Sequence, residues 1–163
     1  MRNHILRTIA SATLSLGLAA AASAQSGHIC STAGVQGAWG STWSGTFILP
    51  TGATPAAAVG TFTTDAMGQF SGTQHSSVGG VVGEDILRGT IEVNADCTGT
   101  LTVGIYDQSG NLLRTAVWAL VYDDDGREVR GIFKSLVLPN GMSVPTIATA
   151  QGKKLFRNSG QGR

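Results

Sequence analysis

Short turn sequences interrupt this chain about every ten residues from Gly37 onward, and this spacing constrains the fold more than any other feature. The breaks include Asp65-Ala-Met-Gly68, Val78-Gly-Gly80, Gln108-Ser-Gly-Asn111, Asp125-Gly126 and Asn140-Gly141. They are rich in residues that tolerate the positive φ of tight turns. Between the breaks, apolar residues alternate with Thr, Ser and Gly, as in strands with one buried face. Helical periodicity with capping residues is missing beyond residue 24, which indicates little helix.

The pattern predicts eight strands. They cover residues 45–49, 56–64, 69–78, 85–94, 99–106, 111–123, 127–138 and 143–153. Connections of mostly two to five residues are too short for the crossover that parallel strands need, so consecutive strands pair antiparallel. About eight such strands can close on themselves and remove their exposed edges. We predict an all-β fold, a single antiparallel up-and-down barrel over residues 37–156, with a two-sheet β-sandwich as the alternative.

The first 24 residues have the features of a secretory signal peptide. Arg2 and Arg7 flank the start of a short apolar run, which ends in Ala22-Ser23-Ala24, a pattern of small residues that signal peptidase cleaves. The run is short for crossing a bilayer, which takes about 20 apolar residues. We predict cleavage after Ala24, a periplasmic or secreted location, and no membrane span after cleavage.

Charge and composition exclude several classes of protein and partner. The chain beyond Ala24 carries nine Lys and Arg against ten Asp and Glu, whereas binding to nucleic acid or anionic membrane depends on clustered basic residues. Hydrophobic residues make up 42% of the full 163-residue sequence and supply a core, which excludes intrinsic disorder. We interpret the basic C-terminal residues as a solvated end and residues 157–163 as a flexible tail.

The two cysteines, Cys30 and Cys97, are predicted to form a structural disulfide, since exported proteins meet an oxidising environment. The bridge closes a loop of 67 residues. A chain-entropy model values that constraint at about 4 kcal/mol. It would tie an N-terminal segment, residues 25–36, to the barrel. The Cys-x-x-Cys spacing of redox and metal-binding pairs is lacking.

The clearest hairpin spans residues 111–138. A two-residue turn at Asp125-Gly126, or a four-residue loop, places Trp118 opposite Phe133 and Tyr122 opposite Val129. A three-residue bulged loop would instead shift the register by one and put Phe133 on the other side from Trp118.

In the unshifted register, one side of this hairpin carries Arg114, Trp118, Tyr122 and Phe133. An aromatic inner wall with one cation suits a small apolar ligand that bears an acid or a carbonyl. These four are therefore our candidate ligand-binding residues. The alternative is that the aromatic side chains fill the barrel and Arg114 extends to its mouth.

The other side of the hairpin is outer, because it carries Arg130 and Lys134, yet it is otherwise apolar. Its apolar residues are Val117, Ala119, Val121, Ile132, Leu136 and Leu138. Either the N-terminal segment or a second subunit would cover such a surface. We expect the N-terminal segment to do so, with a homodimer through Val117, Val121, Ile132 and Leu136 as the alternative.

Other chemistries find little support. His28 and His75 are the only histidines beyond Ala24, too few for a three-histidine zinc site, and we expect no metal or cofactor. His75 beside Ser76 and Asp85 does not have the arrangement of a catalytic triad, because alternation places His75 on the exposed face of its strand. The acidic run at 123–125 lacks the alternate spacing of an EF-hand loop.

Gly37-Ala38-Trp39, ahead of the predicted meander, resembles the Gly-x-Trp opening of the calycin superfamily, which includes lipocalins and avidins. This resemblance implies a barrel whose Trp closes one end, with a basic residue of the last strand packed over it. Lys153, Lys154 and Arg157 lie in the corresponding region. The second and third lipocalin signatures and the lipocalin C-terminal helix have no counterpart in the sequence.

The segment Gly89-Thr-Ile-Glu-Val-Asn-Ala-Asp-Cys-Thr-Gly-Thr100, with Val59-Gly-Thr-Phe62 and Val137-Leu-Pro-Asn-Gly141, looks like a group of uncharacterised bacterial exported proteins. That resemblance covers most of the chain beyond Ala24 and implies export without any known activity. A meander barrel of this size is also similar to the allene oxide cyclase and dirigent type.

Three functions are compatible with these features. We predict an exported barrel that binds a small, largely apolar ligand without catalysis. The alternative is a structural or interaction protein with a filled core and a self-associating outer face. The third is a barrel-type isomerase or cyclase, although the sequence contains no acid–base pair that supports it. The first needs a cavity of about 300 Å3 or more, and the second an exposed apolar patch beyond a few hundred Å2.

Overall fold

The protein is a closed barrel of eight antiparallel strands in a computed structural model, which describes residues 30–155. The strands are β1 Gly37–Leu49, β2 Gly52–Thr64, β3 Gln69–Val78, β4 Val81–Val93, β5 Thr98–Tyr106, β6 Leu112–Asp123, β7 Glu128–Val137 and β8 Thr146–Lys154. Each strand pairs with the next, and β8 pairs with β1 to close the barrel. The predicted up-and-down barrel is confirmed, and the β-sandwich alternative is wrong.

Helical structure within residues 30–155 is limited to two three-residue 3-10 turns, at Ala33–Val35 and Asp124–Gly126. Over the same residues there is no helix of the length and apolarity needed to cross a bilayer. The predicted signal peptide, residues 1–24, and the predicted tail, residues 157–163, lie outside the described residues.

Strand β1 is longer than its sequence pattern predicts, since it begins at Gly37 and not at residue 45. Pairing on both sides holds its Gly- and Ser-rich first half, with β2 on one edge and β8 on the other. At Gly45 the two backbones approach so closely that a Cβ atom would lie 2.3 Å from the carbonyl oxygen of Ile147. Glycine here permits close strand packing, and the small inner-face residues Ser41 and Gly45 interrupt the apolar alternation that strand prediction relies on.

The connection between β3 and β4 is a two-residue turn, Gly79-Gly80, at a break that the sequence predicts, and β4 begins at Val81, four residues before its predicted start. Both glycines have positive φ, 58° and 86°, which a tight hairpin turn of the I′ type requires. The turn fixes the register of the pair and places Gln74 of β3 directly opposite Asp85 of β4. Both side chains consequently lie on the inner face of the barrel, where they are buried.

The inner faces of the strands form one continuous apolar core. Leu87 and Ile91 of β4 and Val103 and Ile105 of β5 are all buried, as their alternation predicts. Aromatic side chains from β1, β2, β3 and β6 extend this core along the barrel axis.

The predicted Cys30–Cys97 disulfide is present and anchors the N-terminal segment. The described part of that segment, residues 30–36, lies across one end of the barrel, where Val35 is fully buried. The prediction that it covers the outer face of the β6–β7 hairpin is wrong for these residues, because Val121 and Ile132 on that face are 55% and 62% exposed. We call the end that this segment covers the closed end.

Trp39 is the centre of the closed end. Its indole Nε1 donates a hydrogen bond to the Val35 carbonyl oxygen at 3.1 Å, and the ring is almost fully buried. The Lys154 Nζ lies 5.6 Å from the ring centroid and donates to the Gly34 carbonyl oxygen at 3.0 Å. Lys154, from the last strand, thus lies over the Trp39 ring at the closed end.

The predicted register of the β6–β7 hairpin is confirmed as far as Trp118, which lies opposite Phe133. Beyond this pair the register shifts, and Lys134 is the extra residue of a β-bulge. The shift reverses the side to which the rest of β7 points, so Leu136 faces the core and is only 5% exposed. The prediction that Leu136 belongs to the outer face, and to a dimer interface with Val117, is therefore wrong.

Candidate ligand-binding site

The barrel interior contains a cavity of about 100 Å3. Its wall is largely apolar and aromatic, with Trp43, Phe47, Phe62, Phe70 and Trp118 among its lining residues. The volume is below the roughly 300 Å3 at which pockets for drug-sized ligands begin. It is nearer to the 150 Å3 of an engineered apolar cavity that takes up benzene. The enclosed space therefore fits one small group, and a longer ligand would extend beyond it.

The end of the barrel opposite the closed end, which we call the open end, is less covered. The Gly79-Gly80 turn and the connections at 107–111 and 138–145 surround it. Val81 and Val82 at the tip of the β3–β4 hairpin are both 75% exposed, so this hairpin projects beyond the barrel wall. Val144 of the 138–145 connection packs against the core, and Arg114, near the same end, keeps 17% of its side chain exposed.

Of the four residues that the sequence suggested, three line the cavity: Arg114, Trp118 and Tyr122. Phe133 does not. It packs edge-on against Trp118, with ring centroids 5.1 Å apart, and supports that ring from the side.

The three lining residues do not form one compact group. Arg114 and Tyr122 are eight residues apart on β6, which corresponds to about 26 Å along a strand. Tyr122 lies at the closed end, where its ring meets the edge of Trp39 at 6.0 Å. Arg114 lies toward the open end. A small ligand that contacts Arg114 would reach Trp118 but not Tyr122.

A buried polar network surrounds Arg114, and the sequence analysis missed most of it. Oδ2 of Asp85 accepts hydrogen bonds from Gln74 Nε2 at 2.8 Å, from Ser76 Oγ at 2.9 Å and from Arg114 Nη2 at 3.3 Å. The indole Nε1 of Trp43 donates to Gln74 Oε1 at 3.0 Å, which fixes the orientation of the Gln74 amide. The network thus joins β1, β3, β4 and β6 at the cavity wall.

Burial and charge act in opposite directions on Arg114. Removal from water lowers the pKa of its guanidinium, whereas the Asp85 carboxylate raises it. The group stays charged in either case, because a guanidinium is too weak an acid to lose its proton at physiological pH. The Arg114 side chain is 17% exposed, so this ion pair is largely, though not wholly, withdrawn from solvent.

A signal for this network was present in the sequence. Asp85 is in phase with Leu87 and Ile91, and Gln74 and Ser76 are in phase with Phe70, so each lies on a face assigned to the core. His75 has the opposite phase and is exposed, as predicted.

Within residues 30–155, no three His, Cys, Asp or Glu side chains gather closely enough to hold a metal ion. Two members of the network line the cavity, the Arg114 guanidinium and the Gln74 amide, and Asp85 holds both of them through hydrogen bonds without lining the cavity itself. This arrangement can orient a polar group of a ligand through hydrogen bonds.

Comparison with known proteins adds evidence on the fold. No family model and no curated protein matches the chain. A solved structure of EF1p2_mFAP2b bound to DFHBI is similar, with a TM-score of 0.53, at 8% sequence identity, over 76% of this chain and 98% of that chain. At this identity the similarity shows a shared fold alone.

Proposed function

We propose that this protein is an exported barrel that binds a small, largely apolar ligand in its interior, without catalysis. The observation that carries the proposal is the Asp85–Arg114 network, whose Arg114 and Gln74 side chains line an otherwise apolar cavity. Burying polar and charged groups costs free energy unless they are paired, and a solid apolar core would avoid that cost. A few convergent polar groups in an apolar pocket are typical of ligand sites.

Two further observations support the proposal. Arg114 lies toward the end of the barrel that residues 30–36 do not cover, and its side chain keeps 17% exposure. A barrel of the same fold is described as bound to DFHBI. Of the residues suggested by the sequence, we assign ligand contact to Arg114 and Trp118, and a structural role to Tyr122 and Phe133.

The proposed location is the periplasm or the extracellular medium, in a bacterium. The disulfide is consistent with an oxidising compartment. The signal-peptide features before residue 25 and the resemblance to bacterial exported proteins support the same location. Membership of the calycin superfamily is likewise a proposal, supported by the contact between Trp39 and Lys154.

A cavity-filling variant tests ligand binding. Ala116 is buried and lines the cavity, whereas Ala119 of the same strand faces outward, so Ala116→Leu fills the site and Ala119→Leu is its matched control. Native mass spectrometry of the mature protein, before and after organic extraction, reports any bound mass. We expect an extractable ligand in the wild type and in Ala119→Leu, and none in Ala116→Leu.

A ligand that Ala116→Leu still retains would place binding outside the cavity. A wild-type protein that is free of ligand, and that takes up none from an extract of its source, would contradict the proposed function.

Two observations favour an interaction protein instead. The cavity is small, and Val121 and Ile132 form an exposed apolar pair on the outer face of the β6–β7 hairpin. Under this alternative the protein self-associates through that pair, with Leu136 excluded. Sedimentation of the wild type and of Ile132→Lys decides, because a wild-type dimer that the substitution dissociates would support the alternative.

A further inference from the structure

The ion pair at the cavity wall gives the site no net charge. Arg114 and Asp85 are in contact at 3.3 Å, and both side chains are largely buried. A carboxylate placed against Arg114 would also lie within a few ångströms of the Asp85 carboxylate, which repels it. An ammonium placed against Asp85 would meet the same problem with Arg114. Either ion would lose its hydration without gaining an unopposed partner.

The network also differs in the number of hydrogen-bond donors and acceptors that it leaves free for a ligand. Asp85 Oδ2 already accepts three hydrogen bonds, and the amide oxygen of Gln74 is occupied by Trp43. Arg114 carries five N–H donors, and among residues 30–155 its guanidinium makes a single hydrogen bond, to Asp85. Asp85 Oδ1 accepts no hydrogen bond from the described residues, but Asp85 does not line the cavity, whereas Arg114 and Gln74 do. Near Arg114 the cavity lining therefore offers donors rather than acceptors. The chemical group that complements it is a neutral acceptor.

We propose that the ligand is an uncharged apolar molecule with a carbonyl-type oxygen, which accepts hydrogen bonds from Arg114. Asp85 is then a specificity-determining residue: it holds the guanidinium in place and rejects carboxylates. This inference rests on the proposed function. It also narrows the sequence-based hypothesis, in which the lone cation Arg114 suits an acid as well as a carbonyl.

Benzamide and benzoate provide a matched pair of probes, since they have the same shape and ring and differ at pH 7 mainly in charge. We would measure their dissociation constants for the wild-type protein by calorimetry, with benzene as the probe without a polar group. We expect benzamide to bind at least tenfold more tightly than benzoate, and more tightly than benzene.

Asp85→Asn removes the repelling charge and keeps an oxygen acceptor for Gln74 and Ser76. Glu84→Gln is its control, because Glu84 is the adjacent residue, is exposed, and loses the same charge. We expect Asp85→Asn to reduce the preference for benzamide at least tenfold or to reverse it, and Glu84→Gln to leave it unchanged.

The outcomes separate this inference from the proposed function. Benzoate binding as tightly as benzamide to the wild type would overturn the inference and leave ligand binding intact, and this comparison stands even where Asp85→Asn does not fold. An unchanged preference in folded Asp85→Asn would overturn the role of Asp85. If none of the three probes binds the wild type or competes with its extracted ligand, interior binding of a ring-sized ligand fails, and this inference fails with it.

Discussion

Replacing Arg114 by Met should expose the energetic role of the buried ion pair. The substitution leaves the Asp85 carboxylate with the Gln74 and Ser76 hydrogen bonds but without a cation. Loss of one partner of a buried pair costs about 3–5 kcal/mol, because the other charge stays buried and uncompensated. Arg114 retains some exposure and two hydrogen bonds to Asp85 persist, so we expect the lower value, a loss of about 3 kcal/mol in unfolding free energy at pH 7.

Adding Asp85→Asn to Arg114→Met should restore most of this stability. The asparagine keeps an oxygen that accepts from Gln74 and Ser76, and it brings no charge into the barrel. We expect the double variant to lie within about 1 kcal/mol of the wild type. Urea unfolding followed by tryptophan fluorescence measures all three proteins. A double variant less stable than Arg114→Met alone would refute the argument, since the uncompensated carboxylate would then not be the source of the loss.

Three further changes test other parts of the structure. Replacing Cys30 and Cys97 together by Ala should lower the unfolding free energy by about 4 kcal/mol, measured in urea, and a loss below about 1 kcal/mol would contradict the loop-closure estimate. Leu136→Lys should destabilise the protein by more than about 2 kcal/mol, and Ile132→Lys by less than about 0.5 kcal/mol, because the bulge turns the Leu136 side chain inward and leaves Ile132 on the outer face. Equal losses for the two variants would be inconsistent with that register. Burial raises the pKa of Tyr122 in the folded state. Its contribution to stability is therefore complete below the unfolded value of about 10 and is lost as pH rises above it. Thermal melts from pH 9 to 11 should show a steeper decline in the wild type than in Tyr122→Phe, and parallel curves would argue against the shift.

The fold was predictable because its signals are local. Gly79-Gly80 specifies its own hairpin turn, and the alternation around Leu87 and Ile91 specifies which face of β4 is buried. The extent of β1 was not predictable, because its first half lacks a clear apolar alternation and is held as a strand by pairing to β2 and β8. The bulge at Lys134 has no local signal, and it alone determines that Leu136 points inward.

The candidate site was only partly predictable. Periodicity assigned Arg114 and Tyr122 to one face of β6, but it does not measure distance along the strand, and these residues occupy opposite ends of the barrel. The alternation in the sequence already places Asp85 on the core face of β4, together with Leu87 and Ile91. Its contact with Arg114 was not predictable, because that contact reaches from β6 over β5 to β4 and depends on the registers of two strand pairs, one of which shifts at Ile105.

Closure between the first and last strands also affects how the protein is made. Synthesis proceeds from the N-terminus, so β1 is complete long before Thr146–Lys154, the strand that pairs with its second edge. Until that strand emerges, β1 and β7 each present unpaired N–H and C=O groups, and Trp39 lacks its Lys154 cover. A chain that stops before β8 thus has two unpaired strand edges, and such edges can pair with other chains. Because the nine residues of β8 pair with both of these edges, we expect a chain that ends before Thr146 to aggregate.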